Sequence, residues 1–145
     1  MDRKRNEEIG VDRVRDIRFR GKKKSPYGDK WVYGYYAFED GEHVIVMPHS
    51  TSYAEALKEN RPLPHISVKH SIDFNTLGQF TGLYDKNKVP IYEGDILNFD
   101  DENWIVSFED GKFIGTFDNT SYDIFEISHY EVIGNIYGNP DLLGG

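Results

Sequence analysis

The sequence predicts an α+β fold that is mostly β, with an aromatic-rich antiparallel sheet and one short helix first and an SH3-like small barrel after them. Three observations support this. Aromatic residues, which favour strands, make up 14% of the chain. Fourteen glycines supply tight turns. Short runs of alternating apolar and polar residues follow one another closely after residue 78, at a spacing of about ten residues that is typical of small barrels.

The N-terminal part begins with a charged tail at residues 1–14, which we expect to be frayed. In the first strand, Ile17 and Phe19 alternate with Arg18 and Arg20, which predicts a dry face and a solvent-exposed arginine face. The four strands predicted in this part are Arg15–Gly21, Trp31–Phe38, His43–Met47 and His65–Ile72.

The strand Trp31–Phe38 has large side chains on both faces, so we expect it to be central or covered by another layer. Gly34 within it indicates a bulge or a close packing contact. Asp40-Gly41 predicts a hairpin turn. Ser52 and Glu55 fit a capping box, so a short helix should run from Ser52 to about Asn60.

The C-terminal part offers five short strands between Phe80 and Tyr137. They are predicted near Gly78–Leu83, Ile91–Phe99, Trp104–Phe108, Lys112–Phe117 and Tyr130–Tyr137. Between and after them we predict a hairpin turn at Asp110-Gly111, a loop over Asp118–Asp123, a short apolar segment at Ile124–Ile127 and a tail over Asn139–Leu143. Gly94-Asp95-Ile96 at a strand start is common in SH3-like barrels. We therefore divide the chain into the tail at 1–14, an N-terminal β subdomain at 15–72 and a C-terminal barrel subdomain at 73–145.

Composition predicts a cytoplasmic location. The chain has no cysteine and no apolar stretch long enough for a membrane span, and its charged first residues lead us to expect no signal peptide. Its net charge of −8 is unevenly spread. Residues 1–24 hold ten Lys/Arg and five Asp/Glu, whereas residues 25–145 hold seven and twenty. The acidic body should repel polyphosphate, and the basic N-terminal segment should attract it.

Four segments resemble the YopX family of phage and prophage proteins from Gram-positive bacteria, in the family's order. They are Ile17–Lys22, Trp31–Tyr36, the set Gly78–Leu83 with Asp85–Asn87 and Ile91–Ile96, and Ile133–Tyr137 with Asn139-Pro140 and Leu142-Leu143. The resemblance implies the two-part, mostly β fold. It implies no activity, because the family has no established one.

The chain departs from the family at two positions. Lys88 stands where members usually have glycine after Asp-Lys-Asn, so this turn should take another geometry or Asn87 should supply the positive φ. Phe74 stands where many members have proline. Both departures are expected at turns.

No residue is predicted to be catalytic, and no cofactor is expected. We expect the carboxylates to lie on turns and solvent faces, with Asp95 as a structural hydrogen-bonding group at a strand start. Within the family-like segments, we take the polar side chains as candidate binding positions: Gln79, Thr81, Asp85, Tyr92, Glu93 and Asp95.

An alternative site binds nucleic acid through the basic segment 15–24 and the aromatic strand, where rings would stack on bases and cations would meet phosphates. Its candidate residues are Arg18, Arg20, Lys22, Lys23, Lys24, Trp31 and Tyr33. Core packing is the competing explanation for the aromatic residues.

A metal-dependent hydrolase is the second alternative. It would use Glu93 and Asp95 with the cluster Asp100–Glu102, since clustered carboxylates bind divalent cations. The five histidines lack metal-ligand spacing, and His65 and His70 should face opposite sides of a strand, so no metal site is assigned.

The sequence favours a non-enzymatic protein-interaction module whose partner is an unidentified host or phage protein. Nucleic acid is a possible partner, a membrane is not expected, and a homo-oligomer is compatible with exposed strand edges.

Overall fold

The computed structural model describes residues 15–24, 26, 30–48, 60 and 67–144. The predicted tail and nearly all of the predicted helix from Ser52 lie outside these residues. The described chain forms two five-stranded antiparallel sheets and one four-residue α-helix, so the mostly β expectation is confirmed. Among the described residues no helix has the length and apolar character needed to cross a membrane.

The first sheet has the order β1–β2–β3–β4–β5, and β1 also pairs with β4, so its first four strands close into a ring. Val32, Ile45 and Ile72 are buried inside the ring. Gly34 of β2 lies against the Val46 backbone carbonyl, where a Cβ would have no room, which confirms the predicted close contact. The strands are β1 Phe19–Lys23, β2 Trp31–Glu39, β3 Glu42–Pro48, β4 Ser67–Tyr84 and β5 Pro90–Tyr92.

Strand β4 runs unbroken for 18 residues through the position where we divided the chain. The division between residues 72 and 73 stays a prediction. Strand β4 contains a bulge after residue 73, because Lys22 and Arg20, two residues apart on β1, pair with Asp73 and Gly78, five residues apart on β4. Thr76 fills the bulge: its hydroxyl accepts a hydrogen bond from the Lys22 amide at 2.8 Å and donates to the Asp73 carbonyl at 2.6 Å.

The second sheet has the order β10–β6–β7–β8–β9. Its core contains Ile91, Leu97, Trp104 and Val106, together with Ile124 and Ile127 of the helix. An SH3-like classification of this part stays a prediction. The elements are β6 Asp95–Phe99, β7 Glu102–Glu109, β8 Lys112–Phe117, β9 Thr120–Asp123, α1 Ile124–Ile127, β10 Glu131–Asn135 and a 3₁₀ helix at Pro140–Leu143.

The two predicted Asp-Gly hairpin turns are confirmed. Asp40-Gly41 joins β2 to β3 and Asp110-Gly111 joins β7 to β8, each with positive φ at both residues. The turn after Asp85 was predicted wrongly. Lys88 itself takes the left-handed conformation, with φ of 66°, although it carries a Cβ.

Three further expectations are corrected. The first strand begins at Phe19, four residues after the predicted start, and before it only the Arg18 carbonyl is described as bonded to β4, by the Phe80 amide at 2.9 Å. The predicted loop Asp118–Asp123 contains β9, which extends the sheet beyond β8. The predicted tail Asn139–Leu143 contains the 3₁₀ helix, whose Leu142 carbonyl accepts a hydrogen bond from the Asn103 side chain at 2.8 Å.

Candidate functional site

The two sheets meet at a buried ion pair that sequence analysis missed. Arg20, expected on a solvent-exposed face, is 6% exposed, and its Nη2 lies 2.8 Å from Oδ1 of Asp95, which is 2% exposed. The second Asp95 oxygen accepts a hydrogen bond from the Tyr92 amide at 2.7 Å, as expected for a group at a strand start. Asp95 therefore joins β1 of the first sheet to β6 of the second.

Aromatic rings enclose the ion pair. The Arg20 guanidinium carbon lies 4.6 Å from the Trp31 ring centre and 4.9 Å from that of Tyr92. Trp31 packs on Tyr137 at 5.9 Å between ring centres. We call this set, Arg20, Trp31, Tyr92, Asp95 and Tyr137, the junction. Because Arg20, Tyr92 and Asp95 are buried and contact one another, the junction holds the sheets together instead of offering a binding surface.

The expectation that carboxylates decorate turns and solvent faces is wrong for Asp95 and also for Asp85, both of which are buried. Burial raises the pKa of Asp95 above its ordinary value, and the positive charge of Arg20 and the Tyr92 amide oppose that effect in part. Burial also raises the pKa of the Tyr92 and Tyr137 hydroxyls. Solvent exclusion thus dominates the electrostatics of this region.

The other candidate binding positions are also engaged within the fold. The backbone N–H of Gln79 donates to Oε1 of Glu93 at 3.0 Å, and the backbone N–H of Glu93 donates to the backbone carbonyl of Gln79 at 3.0 Å. Gly78 lies so close that a Cβ there would be 2.7 Å from the Glu93 carbonyl oxygen. Gln79 and Glu93 therefore lie next to Tyr92 and Asp95 of the junction, along β4, β5 and the start of β6.

Thr81 and Asp85 serve separate local structures. The Thr81 hydroxyl donates to the Ile91 carbonyl at 2.8 Å and ties β4 to β5. One Asp85 oxygen accepts hydrogen bonds from the amides of Asn87 and Val89, and the other accepts from the Val132 amide at 2.9 Å. Asp85 therefore closes the turn around Lys88 and attaches it to β10.

The structure divides the candidate nucleic-acid residues into two groups. Arg20 and Trp31 belong to the junction, Tyr33 packs edge-on against Tyr92 at 5.6 Å, and Arg18 lies over Phe80 at 4.4 Å. The three lysines, Lys22, Lys23 and Lys24, instead line a cavity of about 360 Å³ that also involves His43 and Phe74. The sequence did not reveal this combination of lysines with His43 and Phe74, because these two aromatic residues come from the distant strands β3 and β4.

The carboxylates proposed for metal chemistry are not brought together. Asp95 faces Arg20, Glu93 faces the Gln79 amide, and Asp100 occupies a left-handed turn position. Within the part of the chain that the structure describes, no three histidine or acidic side chains converge as metal ligands. His49 and His65 lie outside that part.

A second surface combines exposed aromatic residues with acidic ones. Phe125 of α1 is 76% exposed, and Tyr122 of the edge strand β9 is also exposed. Asp123 and Glu126 flank them, and Lys112 contacts Asp123 at 2.8 Å. We call Tyr122, Asp123, Phe125 and Glu126 the Phe125 surface. Its charge pattern was not recognised in the sequence, because Ile124–Ile127 appeared as a short apolar segment.

Comparison with known proteins identifies a family and a solved structure with a similar fold. The family model described as YopX protein matches residues 21–144. A crystal structure of protein EF1440 from Enterococcus faecalis is similar over 90% of this chain and 99% of that one, with a TM-score of 0.53 and 23% sequence identity. This likeness shows a shared fold. No curated protein matches the chain.

Proposed function

The chain belongs to the YopX family, and on that premise we propose that it is a non-enzymatic interaction module that binds a basic protein through the Phe125 surface. The exposure of Phe125 carries the proposal. Phe125 is 76% exposed on the helix that packs against the second sheet, so its ring contributes little to the stability of the fold. Aromatic side chains that become buried on binding contribute much of the affinity in many protein interfaces.

Charge supports a basic partner. Residues 85–144 hold thirteen Asp/Glu and three lysines, a net charge of −10, while residues 15–84 hold ten Lys/Arg and eight Asp/Glu, a net charge of +2. Long-range attraction from such a field would steer a basic protein towards the C-terminal sheet and raise its association rate.

The internal use of the buried carboxylates also favours binding over catalysis. Asp85 accepts three backbone hydrogen bonds and Asp95 is paired with Arg20, so neither is left to exchange protons with a substrate. We retain from the resemblance a phage or prophage context, and from composition a cytoplasmic location, as parts of the proposal. Strand β9 has one unpaired edge in the sheet order, which would suit a partner strand or a second copy.

Affinity capture from host lysate, with and without phage infection, tests the proposal when three forms of the protein are compared. Phe125→Ser removes the exposed anchor. Tyr35→Ser is the matched control, since Tyr35 is an equally prominent exposed aromatic residue on the first sheet. Captured proteins are quantified by mass spectrometry at low and high salt.

We expect a basic protein that both wild type and Tyr35→Ser retain and that Phe125→Ser loses. High salt should also release it, because rim charges are screened. Equal capture by wild type and Phe125→Ser would contradict the proposed surface, and capture that does not change with salt would contradict a partner chosen by charge.

A further inference from the structure

The lysine-lined cavity lies between β1, β3 and β4, at one end of the ring. Its volume of about 360 Å³ falls within the range of small-ligand sites. Its lining residues are distant in sequence from the Phe125 surface, and its lysines carry the opposite charge to Asp123 and Glu126 of that surface. The lining residues are Lys22, Lys23, Lys24, His43, Ile72, Asp73 and Phe74.

An aromatic stack forms one side of this cavity. The rings of His43 and Phe74 lie 4.1 Å apart between centres at an interplanar angle of 25°. Phe38 packs on the same imidazole at 4.7 Å. A hydrogen bond of 2.6 Å between the Tyr36 hydroxyl and Nδ1 of His43 fixes the orientation of the imidazole ring. The stack is therefore held rigid before any ligand arrives, which lowers the entropic cost of binding.

The bulge in β4 presents Phe74. Because Thr76 fills the bulge and fixes its backbone, Phe74 lies over His43 while remaining 51% exposed. An aromatic residue with this exposure, packed on one side and open on the other, offers a platform for another planar ring.

Lys23 and Lys24 supply the charge. The amine of Lys22 lies 5.7 Å from the Trp31 ring of the junction, and Lys24 makes a long contact of 3.5 Å with the exposed Glu42. Within the described residues Lys23 forms no ion pair. The cavity therefore has cationic groups that are weakly compensated, in a protein whose net charge is −8.

The geometry points to a site for a phosphate-bearing nucleobase, with the base stacked on the open face of Phe74, which His43 supports from the other side, and the phosphate held by Lys23 and Lys24. Two sources share this chemistry: a free nucleotide, or a segment of single-stranded nucleic acid. An acidic peptide would satisfy the lysines but would leave the aromatic platform unused. Stacking is tolerant of base identity, so we expect little sequence preference.

The acidic C-terminal sheet limits this site. Its charge of −10 repels long polyanions, so binding should be strongest for short strands at low salt. The same argument predicts that affinity falls steeply with ionic strength.

Fluorescence anisotropy of a labelled single strand of about 12 nucleotides tests the site. Adenosine monophosphate, adenosine and decaglutamate serve as competitors. Phe74→Ala removes the platform, and the double variant Lys23→Glu/Lys24→Glu reverses two charges. The matched control is Lys86→Glu/Lys112→Glu, which makes the same change of net charge on the C-terminal half. Circular dichroism checks that each variant is folded.

We expect Phe74→Ala to weaken binding at least about fivefold, since stacking on an aromatic side chain is worth about 1–3 kcal/mol per base. The lysine variant should weaken it about tenfold or more at about 50 mM salt and reduce the slope of log affinity against log salt by about 1.4. The control variant should change affinity less than either. If adenosine monophosphate displaces the labelled strand, the site is assigned to a free nucleotide. If the strand binds and adenosine monophosphate does not displace it, the site is assigned to single-stranded nucleic acid.

Three results would overturn the inference: no binding at low salt, equal effects of the two charge-reversal variants, or decaglutamate competing as well as the oligonucleotide while Phe74→Ala binds normally. If Phe74→Ala does not fold, the two charge-reversal variants still decide the question. None of these results depends on the Phe125 surface, so the two proposals succeed or fail separately.

Discussion

The junction and the Phe125 surface are built from the same kinds of residue and behave in opposite ways. In the junction, Asp95 and Tyr92 are buried beside Arg20, and the half-buried Trp31 covers the guanidinium. On the Phe125 surface, Asp123 lies near Phe125 and both are exposed. Acidic and aromatic residues together therefore do not identify a binding site.

The difference follows from the cation. Arg20 is a planar guanidinium that two rings can cover while one nitrogen still reaches a carboxylate. Lys112, the cation nearest the Phe125 surface, is a flexible and exposed ammonium group. The first arrangement joins two sheets, and the second leaves an aromatic residue free to contact another molecule.

Loss of the junction cation should have the largest effect on stability. In Arg20→Met the Asp95 carboxylate stays buried without a partner, so we expect the free energy of unfolding to fall by about 3–5 kcal/mol near neutral pH. Asp95→Asn should cost a comparable amount, because an amide oxygen still accepts the Tyr92 hydrogen bond but the buried Arg20 guanidinium loses its counter-charge. Urea unfolding measures both changes.

Acid should reduce the effect of Arg20→Met. Burial raises the pKa of Asp95, so the folded protein holds this proton more tightly than the unfolded chain does. The stabilising contribution of the protonated group is fully present below about pH 4 and is lost as the pH rises through the folded pKa. The exposed pair Glu39–Lys69 provides the control, as Lys69→Met should change stability little. A loss that does not depend on pH would contradict the role of Asp95.

The spacing of the backbones beside the junction gives the next largest effect. Gly78→Ala places a Cβ 2.7 Å from the Glu93 carbonyl oxygen, so β4 and the β5–β6 connection must separate. We expect a loss of about 1–3 kcal/mol, as for other overpacked sites. Gly138→Ala is the control, because its nearest neighbour atom is 3.6 Å away. Thermal or urea unfolding would refute this if the two substitutions cost the same.

The turn near Asp85 should respond in the opposite direction. Lys88→Gly relieves a left-handed conformation that costs an L-residue about 1–2 kcal/mol. The greater conformational freedom of glycine in the unfolded chain offsets part of this stabilisation. We expect a net stabilisation of up to about 1 kcal/mol in the same unfolding assay. Lys86→Gly, which has no positive φ to relieve, should destabilise, and stabilisation by both would contradict the explanation.

The smallest effect is expected on the Phe125 surface. Phe125→Ser should change the free energy of unfolding by less than about 0.5 kcal/mol, because a side chain that is 76% exposed contributes little to the core. A larger loss would mean that Phe125 stabilises α1, and the proposed function would lose its main support. Tyr137→Ser, within the junction, is the comparison and should cost more.

Local features were predictable from the sequence. Asp40-Gly41 and Asp110-Gly111 fixed two hairpins, since their residues favour the positive φ that such turns need. Gly34 indicated a bulge or a close contact, and the close contact is observed. The aromatic run Trp31–Phe38 located β2 within one residue of its observed end.

Features that depend on distant partners were not predictable. Arg20 alternates with apolar neighbours and so appears solvent-facing, but the second sheet covers that face of β1. The geometry of the Lys88 turn was predicted wrongly for another reason. Asp85 holds the turn with hydrogen bonds that outweigh the preference of lysine for negative φ. The lysine-lined cavity combines β1 with β3 and β4, and no local pattern connects these segments.

Closure of the ring by β1 has a consequence for biosynthesis. This strand precedes both of its partners, and β4 follows it by about fifty to sixty residues, as the pairings of Lys23 with Ile72 and of Phe19 with Gln79 show. On the ribosome β1, β2 and β3 can therefore pair with one another before β4 is made, and one edge of β1 and one edge of β3 stay uncovered until then. The nascent chain is most vulnerable to wrong strand pairing during that interval, and removal of β1 would make this vulnerability permanent.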